Sequence, residues 1–289
     1  MGAAMCNCDS TSPVGGSGRA DMMSEHVGTI VVTTVQSKLE DSSPAKIAES
    51  RCCEQEVLIV APAETTEPVD FAGDVRLELE GGATYHGHVV GNEKQGHGIL
   101  ALSDGSKYVG QFQRDMKNGQ GVYYYPSGCT YSGDWLDDMT HGQGEERWPD
   151  GSMYQGAFIR GEKSGAGCFA WTNGCKYTGE FDRNDMHGTG SYDWPDGRSY
   201  RGQWSRNSMG PSGEMCWADG RVYKGEFKDG VKHGEGEIRW LDGKSYSGQW
   251  VDGKQHGVGI TSNAKGEARK SKWEHGRLLE WLDEESQVS

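Results

Sequence analysis

From residue 85 onward, polar and apolar positions alternate in short bursts. In Tyr177-Thr178-Gly179-Glu180-Phe181 the first, third and fifth positions are aromatic or glycine, and the two between are polar. The same rhythm returns at Gly188, Gly190, Tyr192 and Trp194. A period of two puts alternate side chains on opposite faces of a β-strand. Residues 182–187 between the bursts read as a polar, turn-like stretch. Asp196-Gly197 then offers the positive-φ position that a tight connection to the next burst needs. Each unit is therefore expected to form two short antiparallel strands.

The unit recurs every 23 residues. Tyr-x-Gly begins at Tyr85, Tyr108, Tyr131, Tyr154, Tyr177, Tyr200, Tyr223 and Tyr246. Four residues after each Tyr come Val89, Phe112, Trp135, Phe158, Phe181, Trp204, Phe227 and Trp250. A Gly-x-Gly follows in every unit but the sixth, where Met209-Gly210-Pro211 stands instead and a missing ladder donor predicts a kink. Self-similarity at a fixed period marks a repeat architecture. A bare glycine weakens a strand unless a neighbouring ring lies over it. The expected core is an aromatic ladder over glycine: Tyr108, Phe112, Tyr131, Trp135, Trp148, Tyr154, Phe158, Trp171, Tyr177, Phe181, Trp194, Tyr200, Trp204, Trp217, Tyr223, Phe227, Trp240, Tyr246 and Trp250. The fold class is all-β, an elongated single-layer twisted antiparallel sheet of about eight hairpins. Residues 74–82 and 269–273 read as degenerate end strands that cap it. Leu278, Leu279, Trp281 and Leu282 suggest a short C-terminal capping helix.

Composition divides the chain into residues 1–70, 71–275 and 276–289. Every Phe, Trp and Tyr lies at or beyond Phe71, and residues 1–70 carry 4 basic against 11 acidic groups, 4 − 11 = −7. Without aromatic anchors this segment cannot offset its chain entropy, and it reads as a disordered acidic tail. The whole chain, at 29 − 43 = −14, lacks the basic excess that phosphate backbones require, so no nucleic-acid partner is expected. No run approaches the ~20 apolar residues of a membrane helix. The start lacks the layout of a secretory signal, which points to the cytoplasm and to mostly reduced cysteines.

Tyr223-Lys224-Gly225-Glu226-Phe227-Lys228-Asp229-Gly230, followed by His233-Gly234-Glu235-Gly236, resembles the MORN (membrane occupation and recognition nexus) repeat. The resemblance extends over about residues 74–275. Proteins of that family include membrane-junction proteins, cytoskeletal and flagellar (radial-spoke) scaffolds, and modules attached to lipid kinases or a methyltransferase. It implies a non-enzymatic scaffold or adaptor that binds protein partners through the ribbon, as a peripheral membrane or cytoskeletal component that includes cilium- or flagellum-type assemblies. Homo-dimerisation and phosphoinositide contact stay open. The alternative is an acylated membrane-targeting module.

Candidate chemistry is sparse. Gly248 to Gln255 mimics a phosphate loop, but Gln255 stands where a Ser or Thr would hold the metal. His141, His187, His233 and His256 share one repeat position, ~10 Å or more apart on successive strand pairs, too far for two to ligate one zinc. The cysteines show no Cys-x-x-Cys spacing. No catalytic residue, cofactor or metal is expected. Gly2 follows the initiator Met and fits the start of a myristoylation signal, with Cys6 and Cys8 as palmitoylation candidates. Residues 219–277 hold 12 basic and 9 acidic groups, and Lys224, Lys228, Lys232, Lys244 and Lys254 are candidates for lipid headgroups. By parity, Ile99, Val122, Tyr124, Arg147, Cys168, Val258 and Ile260 face away from the ladder and form a candidate partner groove.

Overall fold

The computed structural model describes residues 74–282. The tail, with Gly2, Cys6 and Cys8, and the last residues of the 276–289 segment lie outside the described residues.

Among the described residues, nineteen strands form one antiparallel sheet in which each strand pairs with the next in sequence. The edge strand β1 (Val75–Glu78) leads through a 3-10 turn, Glu80–Gly82, into the first hairpin, β2 (Thr84–Val90) and β3 (Glu93–Ala101). The following hairpins are β4 (Lys107–Gln113) with β5 (Met116–Tyr124), β6 (Thr130–Leu136) with β7 (Met139–Arg147), and β8 (Met153–Ile159) with β9 (Glu162–Ala170). Next come β10 (Lys176–Asp182) with β11 (Asp185–Asp193), β12 (Ser199–Ser205) with β13 (Ser208–Cys216), and β14 (Val222–Lys228) with β15 (Val231–Arg239). The sheet ends with β16 (Ser245–Val251), β17 (Lys254–Ser262), β18 (Ala268–Glu274) and β19 (Arg277–Leu282).

Two turns alternate along the sheet. Within a unit only two residues separate the strands, and from the second unit on both take positive φ, as at Arg183 (φ 48) and Asn184 (φ 71). That pair matches the right-handed twist of a hairpin. The expected turn-like stretch 182–187 is thus mostly strand, because a two-residue turn leaves polar residues free to pair across it. Between units, Leu102 N–H donates to Ser106 O, Gly105 N–H donates back to Leu102 O, and Gly105 takes φ 90. Asp104 Oδ1 accepts the Ser106 amide and hydroxyl at 2.8 and 2.6 Å, which holds the Asp104 carboxyl below its usual range.

The glycines let the ladder close. Gly110 and Gly121 are cross-strand partners, and a Cβ on Gly110 would lie 2.5 Å from both Gly121 Cα and the Tyr108 hydroxyl. The Tyr108 ring therefore lies over the glycine pair, and its hydroxyl donates to Gln111 O at 2.9 Å. All eight repeat tyrosines make this bond to the carbonyl three residues on, at 2.8–3.1 Å. Seven are fully buried and Tyr85 is nearly so.

Each Tyr meets the Phe or Trp of the next strand pair edge to face, and from Tyr108 on also that of its own unit. The series runs unbroken from Tyr85 to Trp273 with ring centres 5.0–5.5 Å apart. Such pairs contribute about 0.5–1.5 kcal/mol each beyond burial. A single-layer sheet thus obtains a continuous core without a second layer of secondary structure. Trp148, Trp171, Trp194, Trp217 and Trp240 form a separate, half-buried row beside the inter-unit turns.

The C-terminal cap corrects an expectation, for Leu278 to Leu282 form strand and not helix. His275 (φ 47) and Gly276 (φ 84) repeat the two-residue turn of every other unit. A register shift pairs Trp273 with Leu278 and Lys272 with Glu280, leaving Leu279 as the extra residue. Leu278 and Trp281, three apart, thereby share the ladder face, and that spacing imitates a helical stripe in the sequence. Arg269 replaces the repeat Tyr, Ser271 replaces its glycine, and the Arg269 guanidinium lies 4.7 Å from the Trp281 ring centre. At Pro211 the β13–β14 ladder opens only at Ser212↔Glu226, whereas β11–β12 opens at Gly188↔Trp204. The missing N–H is visible as lost pairing at one end of the strand.

Candidate interaction face

The ladder face is closed. Beside the rings runs a second periodic row that includes Lys94, Lys117, Lys163, Met186, Met209 and Lys232. Lys117 Nζ lies 4.7 Å from the Trp135 ring centre and 4.9 Å from that of Tyr123. Lys163 sits over Trp148 and Tyr154 at 5.1 and 5.2 Å and is ion-paired with the buried Glu146. Lys232 lies 4.1 Å from the Trp250 ring centre. Burial pushes the Lys117 amine down, and burial with the nearby Arg221 charge takes Lys232 to about 8. Burial also raises the ladder phenols, to about 12 for Tyr85, Tyr200 and Tyr246. These cations were not expected in the core. Their recurrence 23 residues apart was the available signal, obscured because lysine normally reads as surface.

The opposite face is accessible. Cross-strand register places Ile99 beside Val109, Val109 beside Val122, and Val122 beside Ser132. Ile99, Val109 and Val122 thus form one apolar row across three neighbouring strands, all partly exposed. Tyr124 lies one row over, between Lys107 and Thr130. Arg147 is exposed and ion-paired with Glu145. Val258 and Ile260 are 43% and 53% exposed at the far end of the sheet, beside Lys272 and Lys270. The candidate groove residues therefore fall into separate patches. Cys168 is a correction, for it is fully buried and accepts from Thr178 Oγ1 at 3.6 Å, so it offers a partner no surface.

Between the patches the same face is polar. An open trough of about 520 Å³ is lined by Thr189, Arg201, Gln203, Ser212, Glu214 and Lys224. Lys224 is flanked across the strands by Glu214 and Glu237, so its charge is locally balanced. Lys228 and Lys254 are exposed on this face, opposite Val231 and Val251. Lys244 lies in a turn, ion-paired with Asp242 at 2.7 Å. Lys232 is a further correction, since its ammonium is enclosed by rings on the ladder side, away from Lys224 and Lys228. The five lysines do not converge on one headgroup site.

Of the periodic histidines, His141 Nδ1 accepts the Arg160 amide at 3.5 Å. The Nδ1 atoms of His233 and His256 are buried without a partner. Among the described residues no three His, Cys, Asp or Glu side chains gather as a metal cluster, and no helix is long and apolar enough to cross a membrane. Cys129, Cys175 and Cys216 are free thiols.

Eight successive stretches match the MORN repeat family: residues 85–107, 108–130, 131–153, 154–176, 177–197, 200–220, 223–245 and 246–267. The chain belongs to the MORN repeat family. Its repeats are consistent with a scaffold or binding protein. No curated protein matches the chain. Among solved structures it is similar to the TCP domain of Drosophila melanogaster SAS-4 in complex with a proline-rich motif of Ana2. That match has 13% identity and a TM-score of 0.36, over 61% of this chain and 90% of that one. It is also similar to the TCP10 domain of Danio rerio CPAP in complex with a STIL peptide, at 16% identity and a TM-score of 0.31 over 73% and 100% of the two chains. At such scores the ligands of those domains stay with those domains.

Proposed function

We propose that this MORN-repeat chain is a non-enzymatic scaffold or adaptor that holds protein partners on the face opposite its aromatic ladder, in association with a membrane or a cytoskeletal assembly. The observation that carries this reading is the asymmetry of the sheet. One face seals itself, with its tyrosines buried and their hydroxyls bonded to backbone carbonyls. The other leaves the Ile99–Val109–Val122 row and Tyr124 partly exposed, bordered by polar and charged groups. Apolar groups rimmed by polar ones on a rigid sheet suit a protein segment better than a small substrate. A single-layer sheet also lacks the enclosed cavity that desolvates catalytic groups.

The test is a V122E/Y124E double variant of the full chain. Partners captured by the wild type should be lost from the variant while its melting temperature stays within a few degrees. Undiminished capture by a folded variant would remove this face from the function. Membrane association is tested separately by fractionating wild type against a G2A/C6S variant. Release of the variant from membranes supports an acylated tether. Retention of both in a detergent-insoluble fraction supports cytoskeletal docking through the ribbon.

A further inference from the structure

The accessible face changes character along its length. Cross-strand register continues the Ile99–Val109–Val122 row to the N-terminal edge of the sheet through His86 and Arg76. Lys107, beside Tyr124, borders the row on one side, and His97, beside Gln111, borders it on the other. Between β2 and β5 neither this row nor the two beside it holds a carboxylate. Further along the sheet the same row carries Glu145, Glu214 and Glu237. In a chain of net charge −14, the apolar row thus occupies a patch set apart by its lack of negative charge.

We propose that, without a partner, this patch is covered by the chain's own segment Val57-Leu58-Ile59-Val60-Ala61, which lies outside the described residues. Its consequence for function rests on the partner-binding reading of this face: a partner must displace the tail to bind.

Three features select this occupant. The segment is the longest uninterrupted aliphatic run in the chain, and it matches an aliphatic row. Five extended residues reach roughly 17 Å, enough to cover the row from Ile99 to Val122, two strand steps or about 10 Å. Charge is complementary. Glu54 and Glu56 precede the run, Glu64, Glu67 and Asp70 follow it, and no Lys or Arg stands between Cys52 and Asp74. The acidic flanks therefore fall towards Lys107 and Arg76, on a patch with no carboxylate to repel them. Reach is sufficient. Residues 62–73 join the run to β1 and can extend to about 40 Å, whereas β5 lies only four strand steps from β1, roughly 19 Å. A segment tethered so closely is present at an effective concentration on the order of millimolar, which favours it over a second copy of the chain.

The experiment places the photocrosslinker p-benzoylphenylalanine in place of Leu58 in the full chain, with no partner present, and maps the cross-links by mass spectrometry. Monomeric cross-links should fall in β3 to β5. V57D/I59D should reduce them by about fivefold or more, because an ionised carboxylate is not taken up by an apolar row. V122E should do the same, and the tail variant keeps the test valid where V122E disturbs the sheet. Cross-links scattered along the sheet, confined to dimers, or undiminished in V57D/I59D overturn the contact. For the regulation, V57D/I59D should capture partners several-fold more strongly than the wild type, and equal capture overturns the competition. Cross-linking needs no partner, so its failure leaves the partner-binding reading standing. Undiminished capture by V122E/Y124E strikes that reading and leaves the cross-link result in place.

Discussion

The Lys232 ammonium sits 4.1 Å from the ring centre of Trp250, with the Tyr223 and Trp217 rings at 5.4 and 5.7 Å. Ring faces attract a cation, yet losing water costs it more, and burial with the Arg221 charge brings the amine from 10.5 to about 8. In the unfolded chain the amine titrates near 10.4. Between about 8 and that value the unfolded chain binds more protons, so stability rises with pH across this window. Below it the cost of the buried charge is borne in full. K232M should therefore be more stable than the wild type at pH 7, by about 1 kcal/mol or more. Its advantage should shrink towards pH 10. Thermal melts of both proteins at pH 7 and pH 9.5 measure this, and an advantage equal at both pH values would exclude the ammonium as its source.

A second prediction concerns the glycines beneath the ladder. A Cβ on Gly179 would stand 2.5 Å from Gly190 Cα, 2.5 Å from the Tyr177 hydroxyl and 2.7 Å from Thr189 O. Two of these three neighbours are backbone and cannot rotate away. G179A should cost about 3 kcal/mol or more, the upper range for overpacking. Gly253 has open space around its missing Cβ and φ +80, so G253A should cost only the left-handed penalty of about 1–2 kcal/mol. Denaturant melts of the two variants separate close packing from backbone conformation.

The contrast between these glycines also shows what the sequence makes legible. Tyr177, Gly179 and Phe181 share a face by simple alternation, and the period of 23 repeats that face along the sheet. The Tyr hydroxyl bond to the carbonyl three residues on has no signature beyond the Tyr itself. Alternation misled at Leu278 and Trp281, where a bulge at Leu279 changes parity and imitates a helix. It was silent on Lys163 and Lys232, whose core position depends on rings supplied by neighbouring strands. Parity put Cys168 on the accessible face, yet it is buried there. For the interaction face, alternation selected a side of the sheet, and only cross-strand register could show that Ile99 and Val122 share one row while Val258 and Ile260 lie elsewhere.

A third prediction follows from the ladder phenols. Burial raises them, to about 12 at Tyr85, Tyr200 and Tyr246, against a usual value of 10.0. A phenol raised on folding contributes stability that is complete below its unfolded value and is lost as pH climbs through the folded one. Near pH 11 an ultraviolet titration should show Tyr85, Tyr200 and Tyr246 still mostly neutral. At higher pH the ladder tyrosines should ionise only as the β-sheet circular dichroism signal is lost. Gradual ionisation of all tyrosines around pH 10 with the sheet intact would contradict their sealed environment.

The last prediction concerns the end of the ladder. Beyond Trp273, Arg269 takes the place of a repeat Tyr and lies over Trp281, which is 40% exposed. Trp281 pairs across the strands with Ser271, whose hydroxyl accepts from Trp273 Nε1 at 2.8 Å and donates to Gly259 O at 3.3 Å. The cap therefore joins the final ladder ring to β17 through a buried serine. In a repeat sheet each unit touches only its neighbours, so damage at one end should stay near that end. W281A should raise amide exchange in β18 and β19 by about tenfold or more, the equivalent of one cation–π and packing contact. Exchange in β8 and β9 should be unchanged. Uniform deprotection along the whole sheet would instead mean that the ribbon unfolds as one cooperative block and that the cap sets its global stability.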